Sequence, residues 1–237
     1  MGLVVPAVLP FSKQEFDGRL RLFSRIPSVT RVQIDVVDGR FASPASWPYI
    51  APEELLEMIK RGEMLPQVDR IEYEIDLMCL DAERAAGAWL ELGVSRLTFH
   101  AESTTDLPRL LASARKHYGA GGLTPLISFG LALNIASDLS LIEANLGEIE
   151  YVQFMGITKV GQQGKTFDRR VFEKVQVFHL RHPEIPIQVD GGISLENAKK
   201  LIALGVSNLV IGSAIVQSGD PVATVAAFEE LQSHFGV

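Results

Sequence analysis

Short apolar, β-branched runs alternate with longer amphipathic segments along nearly the whole chain. That alternation marks βα units and a parallel sheet, because a strand can run parallel to its neighbour only after a crossover, usually a helix. The apolar runs predict strands near residues 3–9, 31–37, 70–76, 95–100, 125–130, 149–155, 185–190 and 207–212. The amphipathic segments predict helices near 13–25, 52–60, 81–92, 105–118, 137–145, 168–181, 194–204 and 221–234. Eight strands, each followed by a helix, is the count that closes an α/β barrel, so the predicted fold is a single (β/α)₈ TIM barrel spanning 1–237. The rival, an open doubly wound sheet, wants G-x-G-x-x-G after its first strand, and none stands there.

Several boundaries carry their own chemistry. Asp220-Pro221 puts a capping carboxylate before a proline at the first helical position, and Ser194 and Asp81 are placed to cap the helices after the seventh and third strands. Gly93 and Gly205 stand where a helix must stop and turn into a strand. The phrases Leu92-Gly-Val-Ser95 and Leu204-Gly-Val-Ser207 match at an offset of four βα units, as a half-barrel repeat would. The stretch 40–51, with Pro44, Trp47 and Pro48, is the longest irregular loop, placed either to shape a site or to pack on the surface.

Composition narrows the function. Apolar residues make up 47% and charged residues 22% of the 237, enough for a sizeable core. A net charge of −7 without any basic stripe excludes nucleic acid and anionic membrane as partners. It leaves phosphorylated ligands open, since backbone amides at helix starts bind phosphate without net positive charge. Cys79 is the one cysteine, which excludes a disulfide framework and makes a reducing cytoplasm the expected compartment. The first residues lack a basic n-region, Pro6 stands where a myristoylation signal wants Ser or Thr, and no run reaches the ~18 apolar residues of a membrane span.

In such barrels polar residues at the C-terminal ends of strands are the functional candidates. Those ends read Gln33, Asp35 and Asp38; Glu74 and Asp76; His100 and Glu102; Asn134; Thr158 and Lys159; Asp190; and Ser213. Asp38, beside Gly39, reads as a turn residue, whereas Asp35 and Asp190 close apolar strands on an inward phase, where a carboxylate needs a partner or a task. The phosphate reading rests on glycines. Val189-Asp-Gly-Gly192 leaves a strand and opens the helix capped by Ser194, and Ile211-Gly-Ser-Ala214 does the same after the eighth strand. Both loops occupy the recurrent phosphate position of these barrels. A third loop, Gly161-Gln-Gln-Gly164, is flanked by Lys159 and Lys165.

These phrases, with Pro6-Ala-Val-Leu9, Ile34-Asp-Val-Val-Asp-Gly39, Asp76-Leu-Met78, His100-Ala-Glu102 and Gly130-Leu-Ala-Leu-Asn134, follow one another in an order that resembles the ribulose-phosphate 3-epimerase family. The resemblance implies an isomerase of the pentose phosphate pathway that interconverts D-ribulose 5-phosphate and D-xylulose 5-phosphate, or a related ketose phosphate. It implies Asp35 and Asp190 as the acid/base pair working through an enediolate. It implies phosphate held by Gly191, Gly192, Gly212 and Ser213, with Gly161, Gln162, Gln163 and Gly164 helping and Met78 beside the substrate.

The family's metal site uses two His and two Asp; the matching residues here are Gln33, Asp35, Asp76 and Asp190. That oxygen-rich set favours Mg²⁺ or Mn²⁺ over Zn²⁺, and the alternative is that Gln33 and Asp76 hydrogen-bond each other with no ion bound. Pro10 replaces the family's serine after the first strand, and Val37 and Gly156 replace two of its methionines. The resemblance also allows a homo-oligomer.

Two other functions fit the same elements. A Schiff-base aldolase would use Lys159, just past the sixth strand, and a barrel that only binds a sugar phosphate would need the glycine loops alone. The related decarboxylases want an Asp-x-Lys-x-x-Asp motif on the third strand, where Glu74-Ile-Asp-Leu-Met-Cys79 has no lysine. His100 reads as a structural residue that pins a loop beside Glu102.

Overall fold

Strand propensity and helix patterning resolve into a closed barrel in the computed structural model, which describes residues 3–118 and 127–235. The strands are β1 (Leu3–Val8), β2 (Arg31–Val37), β3 (Glu72–Met78), β4 (Arg96–His100), β5 (Ser128–Leu133), β6 (Tyr151–Met155), β7 (Ile187–Asp190) and β8 (Asn208–Ile211). Each pairs in parallel with the next, and β8 returns to β1 through Leu3↔Asn208 to Pro6↔Ile211. The helices that follow β1 to β4 are α1 (Lys13–Phe23), α2 (Pro52–Lys60), α3 (Ala82–Leu90) and α4 (Leu107–Tyr118). The rest are α5 (Ser140–Glu143), α6 (Arg170–Arg181), α7 (Leu195–Ala203), the short α8 (Ser213–Val216) and α9 (Pro221–Phe235).

The strands sort their side chains by alternation. One face, with Ile34, Val36, Ile75, Phe99, Phe154 and Leu209, joins the helices in one large core cluster. The other face lines the lumen. Among the described residues its apolar side chains form two small clusters, Val5, Ala7 and Val210 on β1 and β8, and Val37 and Met78 near the C-terminal ends of β2 and β3.

Helix ends follow local chemistry. Ser194 makes a capping box with Asn197, and the Asp220 carboxylate accepts from the Ala223 amide. Asp81 does not cap α3 as expected: its carboxylate is taken by the Tyr49 hydroxyl and by Arg84. Gly93 and Gly205 do turn the chain with φ of 90° and 87°.

Three predicted elements shift. The third strand begins two residues later, at Glu72, because Arg70 reaches away to the carbonyls of Ser24, Pro27 and Val29. The fifth strand, expected over 125–130, runs Ser128–Leu133, with residues 125 and 126 outside the described residues. The helix expected over 137–145 is a single turn at Ser140–Glu143, then a 3₁₀ turn at Leu146–Glu148, since Ile142 is the one buried residue of α5. The long loop after β2 buries Trp47 against Phe16 and Trp89, with ring centroids 4.5 and 5.8 Å away, and contains cis Ser43–Pro44 and Trp47–Pro48 bonds. Among the described residues no helix is long and apolar enough to cross a membrane.

Candidate active site

The loops after β6, β7 and β8 converge over the C-terminal mouth of the barrel. A cavity there is lined by Asp35, Met78, Asp190, the segments Gly161–Lys165 and Gly191–Ile193, and Gly212–Ala214. All eleven residues read from the sequence as acid/base or phosphate-binding therefore meet in one place: Asp35, Met78, Gly161, Gln162, Gln163, Gly164, Asp190, Gly191, Gly192, Gly212 and Ser213.

The backbone requires glycine at 191 and 192. Gly191 and Gly192 have φ of 108° and 67°, and a Cβ on Gly192 would come within 2.8 Å of the Phe167 backbone. A Cβ on Gly212 would lie 2.7 Å from the Gln163 side-chain nitrogen, which is buried without a hydrogen-bond partner. Gln162 ties the same loop down by donating to the Ser43 carbonyl at 2.8 Å, so the long loop after β2 helps shape the cavity.

Beneath the cavity the lumen is polar. Asp35, Asp76 and Asp190 each bring a carboxylate oxygen within 4.8 Å of the other two, and all three are buried. The Gln33 side-chain amide donates to Asp35 Oδ1 and to Asp190 Oδ2, both at 2.8 Å. Asp76 is held instead by His100 Nε2 at 3.0 Å and by the Gln153 amide at 3.1 Å. Gln33 thus bonds Asp35 and Asp190 and not Asp76, which corrects the expected Gln33–Asp76 pair, and here its N–H₂ group faces the carboxylates while its carbonyl oxygen faces Gln188.

Burial and crowding set the protonation. Burial raises the Asp35 carboxyl well above the usual carboxylate range, and the charges of Asp190 and Asp76 raise it further, against the Gln33 hydrogen bond. Asp190 is pushed up to about 7 by burial first and then by the charge of Asp76. Two such neighbours do not both ionise readily at neutral pH, so the pair favours holding one proton. At His100 burial disfavours the charged ring, yet the Asp76 carboxylate outweighs it and the net direction is upward.

Other candidates fall elsewhere. Asp38 is a turn residue, its carboxylate accepting from the Arg40, Phe41 and Leu80 amides. Glu74 lies in mid-strand, fully buried below the site rather than at a strand end. Glu102 accepts from the Asn134 amide, tying the β4 and β5 ends together. Lys159 is exposed and does not line the cavity, whereas Lys165 does. Sequence reading missed Gln153 and Gln188. Each sits two residues before a cavity residue, Met155 and Asp190, so stepping back by the strand period would have found both. It also did not single out Met155, which lines the cavity one residue before Gly156.

Fold and site together define a (β/α)₈ barrel whose strand ends gather three buried carboxylates under a glycine-lined cavity. The sequence profile described as "Ribulose-phosphate 3 epimerase family" matches residues 25–216, and the chain belongs to that family, whose members are isomerases. Ribulose-phosphate 3-epimerase of Buchnera aphidicola subsp. Baizongia pistaciae is 26% identical over 204 residues, covering 84% of this chain and 82% of its own. That of Aquifex aeolicus is 27% identical over 190 residues, covering 78% and 77%. In fold the chain is similar to 3-hexulose-6-phosphate synthase from Salmonella typhimurium, with a TM-score of 0.69 at 15% identity, over 99% of this chain and 100% of that one.

Proposed function

We propose that the protein is a ketose-phosphate 3-epimerase that interconverts D-ribulose 5-phosphate and D-xylulose 5-phosphate. The observation that carries this reading is the Asp35–Asp190 pair: two buried carboxyl groups, bridged by one amide and favouring one shared proton. Inverting a carbon beside a carbonyl needs a base on one face and an acid on the other. The ionised member takes the C3 proton, the C–H electron pair moves into the C2 carbonyl and gives an enediolate, and the protonated member returns a proton to the opposite face. The roles exchange in the reverse direction.

The substrate phosphate lies in the cradle of Gly191, Gly192, Gly212 and Ser213, with the buried, unpartnered Gln163 amide and Lys165 on its open side. Met78 and Met155 wall the carbon chain. The carboxylate triad Asp35, Asp76 and Asp190 fits a hard divalent cation, Mg²⁺ or Mn²⁺ before Zn²⁺. Such an ion would supply positive charge for the developing enediolate oxygens.

The test is proton NMR of D-ribulose 5-phosphate with the protein in D₂O, run with EDTA and again with added Mg²⁺ or Mn²⁺. Deuterium at C3 with growth of xylulose 5-phosphate is the expected result, and metal dependence would assign the triad as the ion's seat. Absence of both signals under every condition would overturn the reading.

A further inference from the structure

Below the three aspartates lies a network that the reaction, as written above, does not use. Glu74 is its root. Arg96 Nε donates to Glu74 Oε2 at 3.1 Å and Thr98 Oγ1 to Glu74 Oε1 at 2.8 Å. A carboxylate can only accept, so the Gln188 amide must turn its nitrogen to it, and does so at 2.6 Å. The same nitrogen faces the carbonyl oxygens of Gln153, at 2.8 Å, and Gln33, at 3.2 Å. Reversing Gln188 would set its oxygen against three acceptors at once. With their oxygens turned down to Gln188, Gln33 and Gln153 must aim their N–H₂ groups up at the aspartates. Gln33 bridges Asp35 and Asp190, and Gln153 donates to Asp76. Glu74, Gln33, Gln153 and Gln188 are all wholly buried, so water does not offer these amides another arrangement.

We propose that Glu74 is a positioning residue which, through Gln188, locks the Gln33 amide so that one N–H holds Asp35 and the other holds Asp190. The single buried carboxylate sets the direction of three amides, and the last of them fixes the rotamers and separation of the two proton-transferring groups. Glu74 touches neither aspartate of the pair and lines no part of the cavity. Its charge also raises both carboxyls of the pair, so the amide NMR readout isolates the part of its effect that passes through the amides. This rests on the epimerase reading of the Asp35–Asp190 pair.

The experiment pairs steady-state kinetics of Glu74→Gln with side-chain amide NMR of the ¹⁵N-labelled wild-type chain. An amide at residue 74 accepts or donates equally well and removes the direction. The expected result is a fall in kcat of about 10–100-fold, the range of losses seen when a group that orients a reacting ligand is removed, with KM within about twofold. A variant with wild-type kcat would overturn the proposal, as would one whose KM rises in step with the loss. In the wild-type chain the Gln33 side-chain amide protons should be protected from exchange, and both should shift in Asp190→Asn. Rapidly exchanging, insensitive protons would overturn the proposal even if Glu74→Gln does not fold. The NMR arm needs no turnover, so a wild-type chain inactive on ribulose 5-phosphate but with protected Gln33 protons would count against the substrate reading alone.

Discussion

The two faces of one sheet differ more than two separate domains often do. Outward, β2 offers Ile34 and Val36, β6 offers Val152 and Phe154, and β7 offers Ile187 and Val189, all buried against the helices. Inward, the same strands offer Gln33 and Asp35, Gln153, and Gln188 and Asp190, with hydrogen bonds that cross the lumen between strands that are not neighbours. Barrel interiors of this kind are usually filled with branched apolar side chains. Here packing on the outer face supplies the stability, and that leaves the inner face free to carry groups that a core would reject. The outer face tolerates any well-fitting hydrocarbon; the inner one depends on which atom is a donor and which an acceptor.

The sharpest break of that comparison is Asp35→Asn. Removing one member of the acid/base pair should lower kcat about 10²–10⁴-fold. Because it also relieves a buried charge among carboxylates, thermal unfolding should move upward, which calorimetry would read. Phe154→Ala should do the reverse. This ring packs edge-on to Phe178 at 5.3 Å, and its loss should remove about 3–5 kcal/mol of stability in urea titration while kcat per folded molecule stays level.

Acidity separates the faces next. The Asp190 carboxyl is raised from 3.8 to about 7 on folding, so the folded chain binds more protons than the unfolded one across that interval. Its share of stability is therefore present at low pH and lost as pH rises from about 4 to about 7. Unfolding free energies measured across that range should show a downward slope that Asp190→Asn flattens, and an unchanged slope would refute the assignment. The smallest effect is expected at Gln163→Leu. Loss of one amide donor to the phosphate should raise KM about fivefold, the equivalent of one ordinary hydrogen bond, with kcat nearly constant.

Much of this was legible in the chain. The barrel follows from eight alternations of strand and helix, and the eleven residues expected to bind substrate or move its proton line one cavity, because glycines and strand-end carboxylates are local signals. What the sequence hid was phase and partnership. Glu74 and Asp76 read as strand ends because polar residues look like boundaries, yet β3 continues to Met78, since a polar lumen lets carboxylates stand inside a strand. The fifth strand, expected to end at Gly130, likewise runs on to Leu133, with the Tyr151 ring filling the space where a side chain at residue 130 would be. The partner of Gln33 lay 157 residues away, and no local pattern reports which end of an amide faces it.

Gly156 shows how such a site constrains its own descent. Its amide donates to the Asp190 carbonyl at 2.6 Å, and a Cβ there would run into the Gly191 carbonyl. A mutation that adds any side chain at this residue would meet backbone, not a movable side chain. The neighbouring Met155 lines the cavity, so a side chain at this end of the sixth strand can be varied there and not at residue 156. Lineages descending from this chain should keep glycine at 156 for as long as Gly191 lies against it.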